Sequence, residues 1–137
     1  MNRLTGDPAY LENIGELASQ GLGPFQWMFS HKDFSGWIYA DLALDPDKRL
    51  PPTVVETWRS NFLRSADALV AQTTNVPYRQ TWPRPMDYWA GWGASTVVNF
   101  NRCLFIAWQL TGDEKYRETM ILNTDFMLGA NPMGMSW

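Results

Sequence analysis

A chain of 137 residues that is 45% hydrophobic and 18% charged has enough apolar material for one domain with a core, far from the charge-rich, hydrophobe-poor balance of disorder. Its formal charge of -3 comes from interspersed acids and bases, so no basic stripe offers itself to nucleic acid or to an anionic membrane surface. Aromatic residues reach 15%, and the eight tryptophans are the most unusual feature of the composition.

The first recognisable element is a corner. Leu4-Thr5-Gly6-Asp7-Pro8-Ala9-Tyr10 returns as Leu110-Thr111-Gly112-Asp113-Glu114-Lys115-Tyr116, too far along for a solenoid repeat of roughly 20 to 50 residues. Gly6 and Gly112 suit the left-handed position just past a helix end. Asp7 and Asp113 then cap the next helix, with Pro8 where a missing N–H costs nothing. Each copy is therefore expected to join two antiparallel helices. Met1 to Leu4 then reads as the last turn of a helix, and both ends of the chain are expected to be cuts through a larger fold.

Residues 8–20 predict a short helix, and residues 34–44 another that Gly36 interrupts. Residues 1–20 hold acids, Gly and Pro where a signal peptide would need an unbroken apolar core, and no run of about 18 apolar residues occurs. His31 is the only histidine and precedes a helix start at Asp33, so it reads as a surface or capping residue. Pro51-Pro52-Thr53 opens a helix over 51–72, with Val55, Trp58, Phe62, Ala66 and Leu69 on one stripe and Arg59, Arg64 and Asp67 available for the other side.

Residues 73–94 have neither helical nor strand periodicity, yet hold Tyr78, Trp82, Tyr88, Trp89 and Trp92. A loop of this length in a compact domain usually has a function, and rings in a loop either cover a core or stack on a flat ligand face.

From Ser95 to Leu110, Val97, Asn101, Leu104 and Trp108 form one stripe, while Val98, Phe100 and Phe105 fill much of the remainder. That predicts an inner helix, apolar nearly all round. Cys103 lies within it and reads as a small core hydrophobe, since a single cysteine makes no internal disulfide. Glu114 to Leu128 predicts a further helix carrying Tyr116, Met120, Thr124 and Met127, stopped by Gly129 and Asn131-Pro132; with its predecessor it forms an αα-hairpin. The predicted fold is all-α, built of antiparallel helical hairpins, with no internal domain boundary over residues 1–137.

Trp92-Gly93-Ala94-Ser95, Asn99 in an apolar helix, Leu110-Thr111-Gly112-Asp113 followed by Tyr116, and Asp125-Phe126-Met127-Leu128-Gly129-Ala130-Asn131-Pro132-Met133-Gly134-Met135-Ser136 occur in this order. The series resembles the C-terminal part of glycoside hydrolase family 9 catalytic domains, densely over residues 88–136 and more weakly upstream. The resemblance implies an arc of an (α/α)6 toroid from an enzyme that cleaves β-1,4-linked glycans, of the cellulose or chitosan type, with inversion. No cofactor and no metal is expected, because one histidine without partners at recognisable spacing supports no metal site.

Such hydrolysis needs a pair of carboxylates flanking the bond. The family's upstream Asp motif is not found here, and its His-His-Arg segment and acid Glu would follow the stretch that ends at Trp137. The expectation is therefore no catalytic residue in this chain, and an inactive chain on its own. Trp92 aligns with a family tryptophan that stacks on sugar, and Trp89 and Tyr88 are its neighbours, so these three are the predicted substrate-binding residues. Thr96 departs from an arginine found in many members, which points toward a glucosamine-containing substrate.

Asp87 is expected to orient the loop through its own backbone, Asp7 and Asp113 to cap helices, and Asn131 and Pro132 to end one. The expected partner is an oligosaccharide or polysaccharide. The alternative is a stand-alone helical carbohydrate-binding or structural domain, self-associating through exposed apolar helix faces.

Overall fold

The computed structural model describes residues 7–9, 12–13, 44, 50–81 and 95–136, the side chains of 95–99 excepted. The described residues are helical and contain no strand. The three helices are α1, Pro52–Gln72; α2, Ser95–Thr111; and α3, Glu114–Met127. The chain divides into two compact units, Met1–Asn61 and Phe62–Trp137.

In the first unit, Asp7 accepts the backbone N–H of Ala9 at 2.9 Å, and the N–H of Glu12 reaches the Pro8 carbonyl at 3.1 Å. Asp7 thus caps as its sequence position predicts. The predicted helices over 8–20 and 34–44 lie otherwise outside the described residues, as does His31. The unit includes the first half of α1. Pro52 takes the first helical position, where no N–H is needed, and the Pro51 carbonyl accepts from Val54 and Val55 at 3.0 and 3.2 Å. Leu50 and Trp58 are buried.

The second unit begins inside α1. Phe62, Ala66 and Leu69 continue the stripe and are all buried, while Arg64 and Asp67 face solvent, as the periodicity predicts. Polar side chains close the end of the helix. The Thr73 hydroxyl donates to the Val70 carbonyl and that of Thr74 to the Ala71 carbonyl, each at 2.7 Å, taking up carbonyls that have no helical partner.

α2 and α3 pack on one another as a hairpin. Their joint is the second copy of the repeated corner: Gly112 has φ +70°, and its N–H donates to the Trp108 carbonyl at 2.7 Å. Asp113 accepts the Lys115 backbone N–H at 3.1 Å. It is the bond Asp7 makes with Ala9, so both copies cap alike.

The core of this unit comprises Phe62, Ala66, Leu69, Phe100, Cys103, Leu104, Ile106, Ala107 and Tyr116. Burial raises the Cys103 thiol to about 12, so at neutral pH it is a small hydrophobe. Two details differ from the periodic reading. Phe105 is 42% exposed, so α2 is apolar over most of its circumference but not buried over all of it. On α3 the buried positions are Tyr116, Thr119 and Asn123, while Met120 and Met127 are half-buried and Thr124 is exposed. Thr119 enters the interior because its hydroxyl donates to the Lys115 carbonyl at 2.8 Å.

A charged staple ties α1 to the start of α3. The Tyr116 hydroxyl donates to Asp67 at 2.9 Å, and Lys115 Nζ lies 3.0 Å from Asp67, 3.3 Å from Asp113 and 4.8 Å from the centre of the Tyr116 ring. Asp113 is held below its ordinary 3.8, first by the Lys115 backbone N–H and then by the Lys115 side chain. Lys115 is held above its ordinary 10.5, first by Asp67 and then by Asp113. A depressed acid contributes stability above its unfolded value and loses it as pH falls. A raised base contributes below its unfolded value and loses it as pH rises through the folded one. The staple therefore weakens at both extremes. Asp113→Asn retains a capping oxygen and removes the acid titration. The expected result is a shallower fall in melting temperature between about pH 5 and pH 2 than in the parent; an unchanged slope counts against the assignment.

Candidate functional site

The predicted substrate-binding residues Tyr88, Trp89 and Trp92 lie outside the described residues, as do Trp82 and Asp87, and so does the side chain of Thr96 in the first turn of α2. What is described is the chain on either side of that segment. Upstream, residues 73–81 leave α1 through successive turns. Val76 to Arg79 closes one of them, with the Arg79 N–H donating to the Val76 carbonyl at 3.1 Å and Pro77 fixing the second position. Downstream, the segment runs directly into α2 at Ser95.

The anchor is a chain of buried amides. The Thr81 backbone N–H donates to Asn123 Oδ1 at 2.7 Å, and Asn123 Nδ2 donates to Asn101 Oδ1 at 2.7 Å. Asn101 Nδ2 reaches the Met120 carbonyl at 3.5 Å. Thr81 and Asn123 are both 0% exposed. Three segments (the stretch after α1, α2 and α3) are thus joined through a fully buried Asn123, a fully buried Thr81 N–H and a half-buried Asn101. Bonds of this kind are costly to break where the orphaned group would remain buried. The Thr81 hydroxyl and the amide oxygens of Gln72 and Gln80 are buried and have no hydrogen-bond partner among the described residues.

Sequence reasoning placed Asn101 on a stripe with Val97, Leu104 and Trp108 without assigning it a role, and gave none to Thr81 or Asn123. The available signal was polarity out of place. An asparagine in an apolar register implies a buried hydrogen bond, although not with which partner.

The Asn131-Pro132-Met133-Gly134-Met135-Ser136 stretch is a closed turn. α3 ends with the Ala130 N–H on the Asp125 carbonyl at 2.9 Å across Gly129, whose φ is +120°. Asn131 is buried. Its Nδ2 donates to the carbonyls of Phe126 and Met135, each at 2.7 Å, and its Oδ1 accepts from the N–H groups of Met133 and Met135 at 3.0 and 3.5 Å. With both amide hydrogens and the oxygen engaged, Asn131 shapes the chain and has nothing left for a ligand.

Four of the described carboxylates are occupied in similar ways. Asp7 and Asp113 cap helices, Asp67 holds Lys115 and Tyr116, and Glu114 pairs with Arg117. Among the described residues no group of three or more His, Cys, Asp and Glu could hold a metal ion, and no helix is long and apolar enough to cross a membrane.

Comparison of the chain with protein-family models, with curated proteins and with solved structures finds no match in any of the three.

Proposed function

We propose that this chain forms part of the wall of a glycan-binding cleft, in an arc of helical hairpins from a family 9-like glycoside hydrolase that cleaves β-1,4-linked glycans. The observation that carries this reading is the buried relay from Asn101 through Asn123 to Thr81. It fastens the residue immediately before Trp82 to a helical hairpin, and the same aromatic segment enters α2 at its other end. Rings that stack on sugars need such a mounting, because affinity rises when the contact surface is ordered before the ligand arrives. Trp92, Trp89 and Tyr88 are the stacking residues in this proposal. A pyranose presents C–H groups to a ring face, so apolar contact adds to a weakly polarised one.

The chain supplies binding in this proposal and not the acid–base pair. Inverting hydrolysis takes two carboxylates on opposite sides of the bond; by the family resemblance that pair lies outside this stretch, and Asp7, Asp67, Asp113 and Glu114 are committed to caps and ion pairs.

Titration with a glucose pentamer and with a glucosamine pentamer, each β-1,4-linked and followed by tryptophan fluorescence, tests the reading. At least one should give a saturable change, weakened about tenfold or more in Trp92→Ala, without release of new reducing ends. Flat titrations with both would remove the glycan-binding proposal, and turnover by the 137-residue chain would remove the statement that it lacks a catalytic pair.

A further inference from the structure

Just ahead of the relay, the chain carries the only non-glycine residue with a positive φ among those described. Arg79 sits at φ +55°. A long side chain in the left-handed region is strained, and such strain persists only where the surrounding structure imposes it. Here the turn from Val76 holds it on one side, and two residues later Thr81 is locked to Asn123 at 2.7 Å on the other. The Arg79 side chain is exposed and makes no hydrogen bond or ion pair among the described residues.

Beside it, Tyr78 is 42% exposed, and its ring meets Phe126 edge to face at 6.3 Å between centroids. One turn therefore presents a braced ring and an uncommitted guanidinium next to each other. A tyrosine loses little freedom when it binds, and a guanidinium offers five donors in a fixed fork.

We propose that Tyr78 and Arg79 form a sugar-contacting corner that selects for oxygen acceptors and against an ammonium group. This rests on the glycan-binding reading and makes it specific. The ring covers a pyranose face, and the guanidinium donates to hydroxyl oxygens of the same or the next sugar. A protonated amino group offers only donors and like charge, and at physiological salt such repulsion acts within about 8 Å. The corner thus opposes the glucosamine preference suggested by Thr96.

The test measures the affinity of the full chain for three β-1,4-linked pentamers, of glucose, of glucosamine and of N-acetylglucosamine. The third separates charge from bulk. The parent should bind the glucose and N-acetylglucosamine oligomers about 3- to 10-fold more tightly than the glucosamine oligomer. Arg79→Gly should erase most of that difference while leaving the melting temperature unchanged or higher, because glycine accepts φ +55° without strain. Tyr78→Ala should weaken all three by a similar factor.

Opposite signs on stability and binding are not the signature of a structural residue. A parent that binds glycans but prefers the glucosamine oligomer, or a preference that survives Arg79→Gly, overturns this inference and leaves the broader reading standing. A parent that binds none of the three overturns both.

Discussion

Replacing Asn123 with leucine should lower the stability of the chain by about 2–4 kcal/mol, more than a surface substitution and as much as many core truncations. Two groups lose their partner together: the Thr81 N–H and Asn101 Oδ1, each 2.7 Å from the Asn123 amide. Thr81 is fully buried, so water does not replace the partner of its N–H, whereas the half-buried Asn101 recovers part of its loss. An orphaned buried group costs about 1–3 kcal/mol, and the extra apolar surface of leucine recovers only part of that. Urea denaturation of Asn123→Leu measures the sum. The double variant with Asn101→Leu isolates the coupling, expected at about 0.5–3 kcal/mol for groups in one network. A loss below about 1 kcal/mol would mean that the relay is not a structural bond.

A comparably large effect is expected for Phe62→Ala, at about 3–5 kcal/mol, because Phe62 is 0% exposed and its removal leaves a cavity that the surrounding core fills only in part. Phe105→Ala is the matched control. The chemistry is the same, but Phe105 on α2 is 42% exposed, so the expected loss is under about 1 kcal/mol. The two variants measured side by side by thermal unfolding test which faces of α1 and α2 are interior. Equal costs would contradict the burial pattern.

The helices were legible because their ends are written in residues with few alternatives. Pro52 opens α1, Asp113 caps α3, and Gly112 and Gly129 take positive φ where helices stop, so predicted and observed bounds agree to within a residue. Hydrophobic spacing also identified the interior stripe of α1 from Trp58 to Leu69. It failed on α3, where Thr119 and Asn123 are interior and Thr124 is not. Periodicity assigns burial by apolarity, whereas Asn123 is buried by virtue of partners 22 and 42 residues away. On α2 the excess of apolar residues concealed which of them faces outward; among the described side chains Phe105 does. Of the candidate site, sequence alone supplied the rings at Tyr88, Trp89 and Trp92, which lie outside the described residues, and the structure supplies the relay that holds Thr81 upstream of them. The relay was hidden because its key atoms are backbone N–H and side-chain amides, whose pairing depends on the fold.

The turn after α3 has a consequence for how this stretch could be used. Every partner of Asn131 lies within five residues of it. The hydrogen bonds of the knot all fall between Phe126 and Met135, so those residues amount to a portable terminator. Spliced onto another helix that ends in the same way, they should coil up unaided and turn the following chain in a set direction.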